Sequence, residues 1–392
     1  MQSDHLKSDE ESAGPPPRTW LVLGDKLGDN AQIRAIADRL PWTCEERRLS
    51  FREPYKLGKP PFRASLFHVD ATLSDPLEPP WPDLILTVGR RPAMAALWIR
   101  ERSGGRTKIV LLGRPKKWME RFALVVAPPQ YRIPPGPRVL RLEMPLMRVD
   151  AERLSAAAAA WKERLAPLPR PLTAVLVGGE TKPFVFDATV AADLARRLLA
   201  LQETSGGSLF VTTSRRTNPQ VREALRDLLK EEARLYEWGS SGDDNPYLGL
   251  LAHADRFVVT GDSISMMVEV AGLGRPLAIF PLPRRVGAVG WMQEHASRLL
   301  HGSPLLHPLG RLLFRFGLAG YSRDLREIHR ILIEKGVASL LGDPFPTGGV
   351  PLPDEVPGVV EKICGVVETK PEQGLLSEGS GAYNPADTRQ ST

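Results

Sequence analysis

From Thr19 to Phe280 the chain repeats one pattern: a short apolar run that stops at a glycine or a small polar loop, then a helix-forming stretch. "TWLVLG" is followed by "DKLGDNAQIRAIADRL", with a helix expected from near Asn30, and "PDLILTVG" by "RRPAMAALWIRERSGG". "TKIVLLG" and "FALVVAP" add two more strands. Alternation of this kind predicts a parallel sheet. The helical run "AERLSAAAAAWKERLA" then meets the proline-rich break "PLPRPL", after which a second series starts at "TAVLVGG". It continues through "SLFVTTS", the helix "NPQVREALRDLLKEEARL", the strand "LYEW", the helix "NPYLGLLAHA", the strand "RFVVT", the helix "SMMVEVAGLG" and the strand "PLAIF".

The expected fold is therefore α/β, with two Rossmann-like domains whose parallel sheets face each other across a cleft. The boundaries read as 19–165 for the first domain, 166–171 for a linker and 172–340 for the second. Residues 341–367 form a C-terminal segment placed to pack back on the first domain. Residues 1–18 and 368–392 lack apolar periodicity and read as disordered tails. Ligands in open parallel sheets bind outside the carboxyl ends of the strands, so the loops there are the candidate site.

Composition narrows the function classes. The 392 residues are 42% hydrophobic and 25% charged, enough for a buried core in each of two domains. The formal net charge of +6 favours anionic ligands or an anionic membrane surface; nucleic acid is not among the expected partners. Cys44 and Cys364 stand far apart, without the spacing of a disulfide framework or a zinc site. No metal site is expected, and His68 and His253 read as structural. No apolar run is long enough to span a bilayer, and the amino terminus is polar and acidic. A cytoplasmic protein, peripheral to the inner membrane, is the expectation.

The strand-end loops carry the chemistry. In "LVGGETKPF", Gly178 and Gly179 permit close backbone approach to a phosphate and Lys182 supplies charge, although a tight turn with a solvated lysine explains the same residues. "VTTSRRTNP" sets Ser214, Arg215, Arg216 and Thr217 at a strand end, where two guanidiniums and two hydroxyls suit a diphosphate. Asn218 caps the next helix and Pro219 fits its first turn. Asn245, Pro246 and Tyr247 repeat the capping pattern, with Tyr247 able to flank a base or simply to pack.

"GDSISMMVEVAGLGRP" offers Ser263 and Ser265 with loop N–H groups for an anion, Asp262 beside them among the nucleotide-binding residues, and Glu269 one helical turn past Ser265. Glu269 lies among apolar neighbours, so its carboxylate needs a partner. In the first half, "GDKLGDNAQ" holds Asp25 and Asp29, either of which fits a general base or a helix cap, and "VGRRPA" sets Arg90 and Arg91 at a strand end.

Together these loops resemble the elongated-mitochondria family, named for a plant mitochondrial fission factor. The resemblance runs from "GDKLGDNAQ" through "VGGETK", "TSRRTNP" and "DNPYLGLLAHAD" to "VTGDSISMMVEVAGLGRP", about residues 19–285. The loop "PPQYRIPPGP" departs from it, where the family often carries an acidic or histidine-bearing loop. The family in turn looks like two-domain nucleotide-sugar glycosyltransferases of the GT-B type. That resemblance implies diphosphate contacts from Gly178, Gly179, Arg215, Ser263 and Ser265, a ribose ligand in Glu269, and Tyr247 beside the base. It further implies a metal-independent enzyme with no cofactor, a nucleotide-diphosphate sugar as donor, and a lipid or cell-envelope glycan as acceptor activated by Asp25 or Asp29. The alternatives are a non-catalytic scaffold and a nucleotide-sugar epimerase. The segment "RLLFRFGLAGYSRDLREIHRIL", with Leu312, Phe314, Phe316 and Leu318, reads either as a membrane-resting helix or as one packed across the domains.

Overall fold

The computed structural model describes residues 15–56, 60–239, 245–285, 306, 312–313, 323–347 and 352–368. The first half contains strands β1 (Thr19–Leu23), β2 (Cys44–Arg48), β3 (Leu84–Val88), β4 (Lys108–Leu112), β5 (Leu124–Ala127) and β6 (Val139–Arg141). Its helices are α1 (Leu27–Ala37), the single turn α2 (Glu53–Lys56) and α3 (Arg90–Arg102). The strands form one six-stranded parallel sheet in the order β2-β1-β3-β4-β5-β6.

Helix α4 (Ala151–Leu165) leads to the second half, which comprises β7 (Leu172–Val177), α5 (Ala188–Ser205), β8 (Ser208–Thr213), α6 (Pro219–Leu229) and β9 (Ala233–Tyr236). It continues with α7 (Tyr247–His253), β10 (Arg256–Thr260), α8 (Ile264–Gly272), β11 (Leu277–Phe280), α9 (Arg326–Glu334) and β12 (Ala338–Leu340). These strands form a second six-stranded parallel sheet, β12-β11-β10-β7-β8-β9. Read from β9, that is the order of a dinucleotide-binding fold. The α/β class with two parallel, Rossmann-like sheets holds, and it is the layout of the GT-B type.

The central strands are apolar because helices cover both faces of each sheet. β1, β3 and β7 are buried along their whole lengths. β2, with the sequence "CEERR", lies at the sheet edge and is only half-buried, so its charges pair on the surface: Arg34 and Arg48 both reach Glu46. These bridges hold the Glu46 carboxyl down to about 2, chiefly through the Arg34 hydrogen bond.

One segment sits differently from a division at the proline break. α4 was expected to close the first half, but Trp161 and Leu165 are buried in the core of the second. The reason is steric: Gly249 of α7 lacks a side chain, and a Cβ there would lie 2.3 Å from the Trp161 ring. The chain then crosses back. Helix α10 (Val356–Glu368) buries Val356, Val359 and Ile363 with Ile33, Ile36 and Val126 of the first half. At about 1.5–3 kcal/mol for each fully buried aliphatic side chain, this face is enough to fix the helix there. The Lys108 ammonium closes its end by donating to the Val366 carbonyl at 2.8 Å.

Phe314, Phe316 and Leu318 lie outside the described residues. Leu312 is 51% exposed, whereas from Asp324 onward the stretch packs: Ile328 and Leu332 enter the second core, while Asp324 pairs with Arg132 of the first half at 3.0 Å. No described helix is long and apolar enough to cross a membrane.

Candidate functional site

In the second sheet β7 and β10 are neighbours, and the connections that leave them run to opposite edges. Such a switch point opens a crevice at the strand ends. Three loops meet there, and their own hydrogen bonds lock them together. The Thr260 hydroxyl accepts from the Gly178 N–H and donates to Asp262 Oδ1, both at 2.8 Å, and Asp262 Oδ2 accepts the Gly179 N–H at 2.8 Å.

This geometry corrects the reading of three residues. Gly178 and Gly179 were expected to leave room for a phosphate, yet that room is filled from within the protein. A Cβ on Gly178 would lie 2.1 Å from Ser263 Oγ, and one on Gly179 would lie 2.1 Å from the Arg216 carbonyl oxygen. Both N–H groups are already engaged. Asp262, placed among the ligand contacts, has 0% side-chain exposure and works as a latch beneath the loops. Burial pushes its carboxyl up from the usual range against the pull of its hydrogen bonds.

Thr217 is buried as well, accepting the Ser214 N–H at 2.9 Å and donating to the Gly178 carbonyl. Arg216 bridges Thr181 at 2.5 Å and Asp262 at 3.4 Å. Asn218 caps α6 through the Gln220 N–H. Lys182 and Arg215 point outward and are exposed, with no hydrogen bond or ion pair to the described residues. Ser263 is buried at the start of α8, and Ser265, two residues on, is partly exposed.

His329 was not singled out in the sequence. Its Nε2 lies 2.7 Å from the Gly261 carbonyl oxygen, which only accepts, so that nitrogen carries the proton. Burial pushes its pKa down, and the neutral ring supports the β10 loop from below. His68 and His253 likewise rest on backbone carbonyls, those of Arg91 and Ala158.

Ser265 and Glu269 are four residues apart on α8 and share a face. The partner that Glu269 needs is Tyr247, whose hydroxyl donates to Oε2. Burial raises both groups, Tyr247 well above its ordinary value. Tyr247 is held by Asn245, which accepts its N–H at 3.0 Å, so the Asn245 side chain is committed to capping. Glu269 also lines a cavity of about 290 Å³ between α8, the Met144–Val149 linker and residues Leu352–Val356. The other acids there are occupied: Asp354 by Arg39 and Arg148, Glu355 by the N–H groups of Glu143 and Met144. Glu269 Oε1 has no hydrogen bond among the described residues, so it can accept from a hydroxyl in the cavity.

The first sheet has its own switch point between β1 and β3. A cavity of about 350 Å³ opens there, lined by Asp25, Lys26, Asp29, Asn30, Lys56 and the Val88–Pro92 turn among others. Asn30 pins the β1 loop by exchanging two hydrogen bonds with the Gly24 backbone. Asp25 is 43% exposed and held by a two-point contact to Arg91 at 3.0 and 3.1 Å. Asp29 is less exposed, at 33%, and caps nothing; its nearest cation is Lys26, 3.9 Å away. Burial raises the Asp29 carboxyl above the usual range, outweighing the pull of Lys26 and Arg323. The structure thus separates two carboxylates that the sequence could not rank: one spent on an arginine, the other half-sheltered and raised by burial above its ordinary value.

Two parallel sheets, each with polar loops at its switch point, make this a two-domain α/β protein of GT-B-like layout. The chain belongs to the mitochondrial fission ELM1 family, which it matches over residues 28–299. It is 29% identical over 220 residues to mitochondrial fission protein ELM1 of Arabidopsis thaliana, covering 50% of this chain and 51% of that protein. The chain therefore spans about half the length of that relative. An uncharacterized protein, RP120, of Rickettsia prowazekii is 25% identical over 297 residues, covering 67% of this chain and 83% of its own. Among solved structures, UDP-GlcNAc 2-epimerase from Methanocaldococcus jannaschii superposes with a TM-score of 0.47 at 10% identity, covering 89% of this chain and 99% of that one.

Proposed function

We propose that the chain is a glycosyltransferase that moves a sugar from a nucleotide diphosphate to a hydroxyl of a lipid or cell-envelope glycan. One observation carries the reading: the two switch points hold complementary chemistry. The second presents Lys182 and Arg215, exposed and without described partners, while the first presents Asp29 with raised proton affinity in a cavity. The nucleoside sits against α8, its ribose hydroxyl donating to Glu269 Oε1. The acceptor oxygen attacks the anomeric carbon, its proton passes to Asp29, and the bond from that carbon to the diphosphate breaks. Lys182 and Arg215 stabilise the leaving diphosphate. The sugar nucleotide is a substrate in this scheme, which assigns no role to a resident cofactor.

Calorimetry of the full chain with UDP, GDP, CDP and CMP sugars tests the donor site. One of them is expected to bind, and Glu269→Gln to weaken it about tenfold or more, the loss of one charge-assisted hydrogen bond. Glutamine is the informative replacement because it still accepts from Tyr247, whereas alanine would strand a buried phenol and confound binding with stability. If folded protein binds none of these sugars, the donor reading fails and a non-catalytic scaffold takes its place.

A further inference from the structure

The cavity at the β1/β3 switch point is not neutral. Five cationic side chains line it, Lys26, Lys56, Arg90, Arg91 and Lys116, against the two carboxylates Asp25 and Asp29. Arg91 and Asp25 cancel each other through their two-point contact. Lys56 is likewise matched by Glu53, which leaves Lys26 and Arg90 around Asp29, a carboxylate that burial already makes reluctant to ionise.

More cations crowd the same place from other elements. Arg114, half-buried after β4, stacks over Tyr131 and has its pKa lowered first by burial and then by repulsion from Arg323 and Arg90. Arg323 lies just before α9, and its charge reaches both Asp29 and Tyr131. Arg90 donates to the Pro60 carbonyl through Nη2 at 2.6 Å, while its buried Nε has no partner among the described residues. Gathering like charges costs free energy unless an anion relieves it, and arginine forks match phosphoryl oxygens in geometry as well as charge. The first turn of α3 opens at the same point, with Arg90 and Arg91 as its first residues, so its dipole adds to the field. By contrast, the cavity beside Glu269 is lined by three carboxylates and one arginine, a setting for hydroxyls rather than phosphates.

We infer that the cavity between β1 and β3 binds a phosphoryl group carried by the second substrate, so that the sugar acceptor is a phosphorylated compound. Calling that substrate the acceptor rests on the proposed function; phosphoryl binding at this place does not, and it is tested without any sugar nucleotide. The phosphoryl group would come from a water-soluble phosphomonoester or from a lipid headgroup, and both present the same oxygens to the same cations.

The full chain is titrated with a hexose 1-phosphate and, separately, with vesicles of phosphatidic acid against vesicles of phosphatidylcholine. Binding to one of the two phosphomonoesters is expected, weakened about tenfold by Lys26→Gln and by Arg90→Gln and little changed by Arg215→Gln in the other half. Arg90 also lies over the Phe62 ring, so its variant is checked for folding; the Lys26 side chain is 68% exposed and carries the test on its own. Selective binding of the soluble ester identifies a soluble source, and selective binding of phosphatidic acid a lipid one. The inference is overturned if neither phosphomonoester binds, or if binding survives Lys26→Gln and Arg90→Gln but is lost with Arg215→Gln.

Discussion

Gly179→Ala is expected to destabilise the second half by about 3–5 kcal/mol, at the severe end for a single substitution. The added Cβ would meet the Arg216 carbonyl oxygen at 2.1 Å and carbon at 2.4 Å, and backbone cannot swing aside as a flexible side chain does. If the Arg216 loop retreats, Thr217 loses its bonds to Ser214 and Gly178, and if Gly179 retreats, Asp262 keeps a buried charge without its N–H donor. Chemical denaturation of the full chain measures the loss. The control is Gly358→Ala in α10, where no atom lies within 4 Å of the new Cβ; it should be neutral or gain up to about 1 kcal/mol. A small loss at Gly179 would mean that the two loops are not held against each other as described.

Asp29→Asn should lower sugar transfer about 10²–10⁴-fold, the range for removing a general base, while Asp25→Asn, which only frees Arg91, should cost far less. In the wild type, the acid limb of the rate profile should fall at a pH above the ordinary aspartate value of 3.8, because burial raises this carboxyl. The same shift fixes the sign for stability. A carboxyl whose folded pKa is raised favours folding below its unfolded value, and that contribution is lost as pH rises through the folded one. Asparagine never ionises, so Asp29→Asn should melt above the wild type at neutral pH and converge with it near pH 3. A variant that loses activity and gains stability would fit a functional carboxylate kept at a cost. Full activity in both variants would remove Asp29 and Asp25 from the mechanism.

The long apolar runs were legible from sequence because burial on both faces leaves a continuous signature. "TWLVLG", "PDLILTVG" and "TAVLVGG" became β1, β3 and β7 in the two central sheets. β2, β6 and β12 carried no such mark, being edge strands of three to five residues, one of them the charged "CEERR". The helix caps followed local rules, and Asn218 and Asn245 both accept the backbone N–H two residues on. The candidate site was legible as a set of loops. The division of labour within it was not, since Gly178, Gly179, Asp262 and Thr217 look as ligand-ready in sequence as Lys182 and Arg215.

Sequence alone, then, determined the strand–helix alternation, the two parallel sheets and the loops at their carboxyl ends, all of which depend on local periodicity and turn chemistry. Only the tertiary structure decided which polar groups in those loops are consumed by each other. It set Asp262 under the glycines, paired Tyr247 with Glu269 and Arg91 with Asp25, placed Trp161 in the second core, and brought Arg323 towards Asp29. These pairings join residues from about 20 to nearly 300 positions apart in the chain. No local pattern encodes them, because a buried donor or charge can be satisfied by whatever partner the packed fold brings within reach.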